Sequence, residues 1–311
     1  MFFPPGEVTI KAGEFLPAFI VRYGMADSFL EGVWMPSLLY CSTGAFTGRV
    51  NGRNPQLAAD YASLLDCDGL EVMVYEDWYG RLDAVAALYR ERGLRCPVVH
   101  ADKGIGDRMS APAPEAFADA MRRFEENCRF AVLLGAGIIV CHIWGVPDSD
   151  THLAGIVDRT GHLLETAGRY GLTLAAENCV CVHGSPLRHM EELAARYPTI
   201  GFTLDVRPAQ FHRELPAFFR SGLFEAGHIR HIHIGDYAGG YKKWNRLYPI
   251  PHPGEGTVDF PAFFRGLREK RYDGAMTLES PCILPDRVDT DTINRDLRWL
   301  RQQRDTPPDG K

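Results

Sequence analysis

Hydrophobic positions along the chain fall into eight short runs, separated by longer stretches in which apolar residues recur every three or four positions. A short apolar run predicts a buried strand, and the longer spacing predicts an amphipathic helix. The predicted strands are SLLYCST from Ser37, GLEVMVY from Gly69, CPVVH from Cys96, GIIVCHIW from Gly137, LTLAAEN from Leu172, IGFTLDV from Ile200, IRHIHIGD from Ile229 and GAMTLES from Gly274.

The longer stretches also carry the boundary residues of helices. One of them, RLDAVAALYRERG, ends at Gly93, and another starts at Pro114 and ends at Gly135. Proline in the first turn and glycine after the last turn favour these limits. Eight alternating strand and helix units predict a single-domain α/β fold, the (β/α)8 TIM barrel. A doubly wound open sheet is the alternative, but no G-x-G-x-x-G follows the first predicted strand.

Composition sets the limits of the fold and the kinds of partner. We expect an N-terminal extension packed on the barrel over 1–36, the barrel over 37–303 and a disordered tail over 304–311. The formal net charge is −6 and no basic tract stands out, so we expect no nucleic-acid partner. No apolar run is long enough to span a bilayer, which predicts a cytoplasmic protein without a membrane partner. The eight cysteines are scattered and are interpreted as buried free thiols.

Side-chain direction gathers polar residues on the inner face of the last four predicted strands. Successive strand residues point to opposite sides, so Leu204 faces the helices while Thr203 and Asp205 face the barrel interior. The same parity places one ligand-type residue on the inner face, near the end, of each strand. These residues are Glu177, Asp205, His233 and Glu279. Because TIM-barrel sites lie at the carboxyl ends of the strands, we predict that the four side chains share one pocket.

Further polar and aromatic residues lie near the same mouth. His231 points inward one layer below His233 and is interpreted as a hydrogen-bonded support. His100 ends the third run, His142 lies near the end of the fourth, and both are either core, supporting or substrate-contacting residues. The candidates for substrate binding or support are His100, Lys103, His142, Trp144, Arg207, His231 and Asp236. For Lys103 a solvated surface role is the alternative, and HPGEG from His252 is interpreted as a tight turn.

Converging carboxylates repel one another unless a cation lies between them. Glutamate, aspartate and histidine from separate strands, with oxygen predominating, suit one divalent ion such as Mn²⁺, Mg²⁺, Co²⁺ or Zn²⁺. The sequence therefore predicts a single metal cofactor at the mouth of the barrel.

Several motifs resemble the sugar-phosphate isomerase/epimerase superfamily of xylose-isomerase-like TIM barrels. They include LAAENC, TLDV, HIHIGD, PGEGTVDFPAFFRGLREKRYDGAMTLES, STGAF, VVHADKGIG and CHIWG, and the likeness runs from about Leu38 to Leu300. The resemblance implies that Glu177, Asp205, His233 and Glu279 are the metal ligands. It also implies that Glu177 and Glu279 form an acid/base pair.

The chain departs from one branch of that group. Many relatives have D-x-x-H after the sixth strand, whereas this chain has Pro208 at the histidine position and His212 lies too far along to replace it. The AP endonuclease branch needs that histidine and an Asp-x-His before the GEG loop, where this chain reads YPIPHPGEG. These differences argue against a trinuclear zinc site and nucleic-acid cleavage.

The leading functional hypothesis is a metal-dependent isomerase or epimerase of a sugar, sugar phosphate or related polyol. The metal would stabilise an enediolate while the two glutamates remove and return a proton. One alternative is a lyase that dehydrates a keto-polyol through the same enediolate, and another is a non-enzymatic sugar- and metal-binding barrel. The N-terminal extension would also allow a homo-oligomer.

Overall fold

Eight parallel strands close into a barrel in which each strand pairs with the next one along the chain, and β8 pairs with β1. The computed structural model describes residues 37–145 and 149–306. The strands are β1 Leu39–Ser42, β2 Leu70–Met73, β3 Val98–His100, β4 Ile138–Cys141, β5 Thr173–Glu177, β6 Gly201–Asp205, β7 Ile229–Ile234 and β8 Met276–Leu278. Each of the eight predicted runs contains one of these strands, so the predicted barrel is confirmed.

Helices follow the strands around the outside of the barrel. They are α1 Gln56–Tyr61, α2 Leu82–Glu91, α3 Gly104–Ser110, α4 Pro114–Leu134, α5 Leu153–Arg169, α6 Pro186–Arg196, α7 Val206–Phe211, α8 Leu215–Phe218, α9 Phe260–Glu269 and α10 Thr290–Asp305. Within the described ranges, none of these helices is long and apolar enough to cross a membrane.

Strand parity divides the core into two parts. Outward-facing residues pack against the helices in one large hydrophobic cluster. Inside the barrel, Tyr40, Val98, Val140 and Ala175 form a small apolar cluster. Other inward positions are polar and almost fully buried, as Thr203, His100 and His233 are. Polar groups buried in this way need partners, which they find in one another at the mouth.

One boundary differs from the sequence prediction. Helix α10 continues to Asp305, so the first two residues of the predicted tail over 304–311 are helical. Arg304 is buried there and donates a 2.6 Å hydrogen bond to the carbonyl oxygen of Ser37, which ties the end of the helix to the start of β1. The predicted extension over 1–36 lies outside the described residues, as does the end of the tail.

All eight cysteines are free, as predicted, and six of them are buried. Burial raises the pKa of Cys96 to about 12, so this thiol stays protonated at neutral pH.

Candidate metal and active site

The four predicted ligands meet at the carboxyl ends of β5 to β8. Glu177, Asp205, His233 and Glu279 each offer one ligand atom, and these atoms all lie within 4.8 Å of one another. The Nδ1 atom of His233 lies 3.4 Å from a carboxylate oxygen of Glu177 and 3.4 Å from one of Glu279. The barrel therefore brings three carboxylates and one imidazole from four strands into a single group.

Electrostatics show how crowded this group is. Burial, reinforced by the nearby charges of Glu177 and Glu279, raises the pKa of Asp205 to about 7 although Arg207 opposes the shift. Burial would also raise the pKa of Glu177, but His142 and His233 outweigh it and hold that pKa well below its usual range. A divalent cation among these side chains would relieve the repulsion that raises the pKa of Asp205.

The donor atoms fit such an ion. His233 Nδ1 is buried and has no hydrogen-bond partner among the described residues, yet it points at two carboxylates. A buried imidazole nitrogen without a partner is costly unless something binds it. Three carboxylates and one imidazole are ligands that Mn²⁺, Mg²⁺, Co²⁺ and Zn²⁺ accept.

His100 and His142 lie on the other side of Glu177. His100 Nε2 is 3.0 Å from Glu177 Oε2, and its Nδ1 is 2.8 Å from the carbonyl oxygen of Ala101. His142 Nε2 lies 2.9 Å from the same Glu177 oxygen, but off the line of a hydrogen bond. The three side chains form a second group with metal-ligand geometry that shares Glu177 with the first. Both histidines therefore contact the site and also hold the Glu177 carboxylate in place.

One buried carboxylate of the site was missed by the sequence analysis. Glu71, on β2, is fully buried, and its Oε2 lies 2.8 Å from His231 Nε2. The carboxylate also contacts His233 Nε2. Burial would raise the pKa of Glu71, but His233 and His231 outweigh it and lower that pKa. In LEVM, Glu71 alternates with Leu70 and Val72, so the parity argument used for β5 to β8 would have found it.

A cleft in two parts crosses the mouth above the ligand group. One cavity of about 400 Å³ contains Glu177 in its wall, and a second of about 210 Å³ contains Glu279. The residues that line both are Lys103, Asp205, Arg207 and Tyr248. A bound molecule that occupies both cavities would therefore lie against both glutamates.

The structure places two candidates away from this cleft. Trp144 is fully buried and packs edge-to-face on His189, with 5.7 Å between ring centroids, whereas Trp244 lines the larger cavity. Asp236 is fully buried, and its carboxylate accepts hydrogen bonds from four backbone N–H groups, three of them in the HPGEG segment and the residues just after it. The hydrogen bonds of its carboxylate thus hold this loop and do not involve the four ligands.

His212 has a structural partner of its own. Its Nε2 accepts a 3.0 Å hydrogen bond from the backbone N–H of Cys181, and it belongs to none of the metal-type groups found in the described ranges. This agrees with the expectation that His212 does not replace the histidine missing at Pro208.

A family model described as a xylose isomerase-like TIM barrel matches residues 59–303. The chain belongs to this family, whose match covers most of the described barrel. No curated protein sequence matches the chain significantly.

Three similar solved structures are those of sugar epimerases. A D-allulose 3-epimerase from Methylomonas sp., in complex with D-allulose, is 18% identical with a TM-score of 0.66, covering 86% of this chain and 97% of that one. The apo form of a 3-keto-D-glucoside 4-epimerase from E. coli is 19% identical with a TM-score of 0.64, covering 86% and 99%. A D-psicose 3-epimerase with D-tagatose, from Clostridium cellulolyticum H10, is 13% identical with a TM-score of 0.63, covering 86% and 100%.

Proposed function

We propose that the protein is a divalent-metal-dependent epimerase or isomerase of a ketose or a related sugar. One observation carries the proposal: Glu177 and Glu279 each lie 3.4 Å from His233 Nδ1 but line different cavities of one cleft. Inverting a carbon centre needs a proton acceptor on one face and a proton donor on the other. The likeness of this chain to three sugar epimerases supports the same reaction class.

The proposed chemistry begins with proton transfer at the carbon next to the substrate carbonyl. The Glu177 carboxylate takes the proton from one face, and the electron pair moves toward the carbonyl oxygen. A protonated Glu279 then delivers a proton to the opposite face, so the two glutamates exchange protonation states in each turnover. Glu177, Asp205, His233 and Glu279 would hold the divalent ion, which supplies Lewis-acid stabilisation of the negative charge that develops.

Two cations would help to hold the substrate. Lys103 is exposed to the cleft, and no hydrogen bond or ion pair of its ammonium group is found among the described side chains. Arg207 donates to the carbonyl oxygen of Leu247 at 3.4 Å, and its guanidinium lies 5.7 Å from the Tyr248 ring centre. We assign both to substrate oxygens, where positive charge also favours the electron-rich intermediate.

The test is hydrogen exchange in D₂O with a panel of ketoses and keto-polyols and a metal-analysed protein. We expect deuterium at the carbon next to the carbonyl, together with the epimer or the isomer. Glu177→Gln and Glu279→Gln should each lower the exchange rate by a factor of about 10² to 10⁴. The metal content of each variant must be measured, because both residues are also proposed ligands.

Asp68→Asn is the matched control, because this carboxylate lies before β2, where it accepts a hydrogen bond from Leu39 N–H. Its exchange rate should equal that of the wild type. Loss of water from the substrate would favour the dehydratase instead. Absence of exchange with every divalent ion and every sugar would contradict both enzymatic hypotheses and leave a binding barrel.

A further inference from the structure

We propose that Glu71 is a positioning residue that fixes the orientation of His233, so that His233 presents Nδ1, and not Nε2, to a bound cation. The inference rests on the proposed metal site. It adds a contact from β2, outside the four strands that carry the ligands.

The Glu71 carboxylate reaches across the inside of the barrel. β2 and β7 are not neighbours, since β1 and β8 lie between them. His233 Nε2 nevertheless lies 3.0 Å from one Glu71 oxygen and 3.2 Å from the other. Both side chains are fully buried, so no bulk water competes for this contact.

Other residues hold Glu71 itself in place. His231 Nε2 lies 2.8 Å from Glu71 Oε2 and 2.8 Å from the Thr277 hydroxyl. The His231 ring also stacks on Tyr40, with 6.5 Å between ring centroids and 24° between planes. The His231 contacts therefore hold the Glu71 carboxylate in one position, where it can accept a hydrogen bond from His233.

The contact between Glu71 and His233 determines which nitrogen of His233 can bind a cation. A carboxylate only accepts hydrogen bonds, so the nitrogen facing Glu71 must carry the proton. In a neutral imidazole the other nitrogen, Nδ1, then has a free lone pair, and this atom faces Glu177 and Glu279. A carboxylate behind a metal-bound histidine fixes the tautomer and makes the ligand more basic, and its loss typically weakens metal binding 10- to 100-fold.

A purely structural role would predict something different. Glu71 has His231 as a partner already, and Thr277 satisfies His231 as well. If Glu71 only filled and stabilised the interior, its replacement would change the melting temperature but not the affinity for metal. Metal affinity therefore separates the two roles.

The experiment titrates Mn²⁺ into metal-free protein by calorimetry, for the wild type, Glu71→Gln, Glu71→Met and Asp68→Asn. We expect a 10- to 100-fold higher Kd for Glu71→Met. The loss should be smaller for Glu71→Gln, because the amide keeps one acceptor oxygen of the same reach. Asp68→Asn, which removes a carboxylate that lies before β2 and accepts from Leu39 N–H, should match the wild type.

A second measurement needs no variant. In the Zn²⁺-loaded wild type with ¹⁵N-labelled histidine, NMR should show a proton on His233 Nε2 and the metal on Nδ1. Metal on Nε2, or a Glu71→Met protein that binds Mn²⁺ within twofold of the wild type, would overturn the inference. A wild type that binds no divalent ion would instead remove the proposed metal site, and this inference with it.

Discussion

Asp205 serves two purposes at the residue scale. Its Oδ1 accepts a 2.9 Å hydrogen bond from the backbone N–H of Arg207 and so caps the start of α7. The same carboxylate belongs to the ligand group. Helix α7 follows β6 directly, so the cap also holds Arg207 at the cleft. The Asp205 side chain thus links the ligand group to Arg207, which is proposed to bind substrate.

His212 provides a pH prediction at the same scale. Burial, with the charge of Lys242 adding to it, lowers the pKa of His212 to about 4 from an ordinary value near 6.5. The unfolded chain therefore binds the proton more readily than the folded chain between these values. The contribution of neutral His212 to the free energy of unfolding is complete above about pH 6.5. It falls by about 3 kcal/mol at most as pH falls toward 4.

The measurement is the free energy of unfolding against pH for the wild type and His212→Gln. Glutamine can still accept from the Cys181 N–H but does not titrate. We expect the wild type to lose about 3 kcal/mol relative to the variant between pH 7 and pH 4. Parallel profiles for the two proteins would contradict the assignment.

At the scale of elements, one carboxylate organises the loop between β7 and α9. Asp236 accepts hydrogen bonds from the N–H groups of Tyr237, Gly254, Gly256 and Val258 at 2.7 to 3.1 Å. The loop can approach so closely because Gly256 has no side chain: a Cβ there would lie 2.3 Å from Asp236 Oδ1. Gly254, with φ of +87°, supplies the turn predicted for this segment.

This loop predicts a stability effect. Asp236→Ala leaves four N–H groups without their acceptor and should lower the free energy of unfolding by about 3 kcal/mol. Backbone amides of 254–258 should also exchange hydrogen faster, as read by mass spectrometry. Gly256→Ala should be destabilising through the clash with Asp236.

The control for this prediction is Gly168→Ala within α5, where a new Cβ meets no heavy atom within 4 Å. That change should be neutral or stabilising by up to about 1 kcal/mol. If Asp236→Ala is as stable as the control, the carboxylate does not organise the loop.

The strands and the directions of their side chains could be predicted from the sequence. A barrel strand needs apolar residues on the face that packs against the helices, whereas its inner face can carry polar functional residues. Helix α3 was not predicted, since GIGDRMS contains two glycines that disfavour a helix. Gly106 is required there because a Cβ would lie 2.7 Å from the Trp144 carbonyl oxygen, a contact that only the folded chain shows. The inward direction of Glu71 was readable by the same parity, but its pairing with His231 and His233, 160 and 162 residues away, was not.

At the scale of the whole molecule, the proposed ligands join four adjacent strands. An ion bound to β5, β6, β7 and β8 stabilises the folded barrel by mass action, since the unfolded chain does not hold the four side chains together. Removal of bound metal with a chelator should lower Tm by about 6 °C, if the ion is present at about a thousand times its Kd.

Differential scanning calorimetry of the wild type and Glu279→Gln, each with and without Mn²⁺, checks this expectation. The variant lacks one proposed ligand and should show a much smaller shift. An identical Tm for the chelated and the metal-supplemented wild type would count against an ion at this position.

The strand order has a consequence for how the molecule is made. Translation delivers Glu177, Asp205 and His233 before Glu279, which follows directly after β8. Strand β8 also closes the barrel by pairing with β1, at Leu39 and Met276. A nascent chain that stops short of β8 thus has neither a closed barrel nor a full ligand set. Cofactor loading would therefore come after the last strand leaves the ribosome, and ion occupancy would report that synthesis and closure are complete.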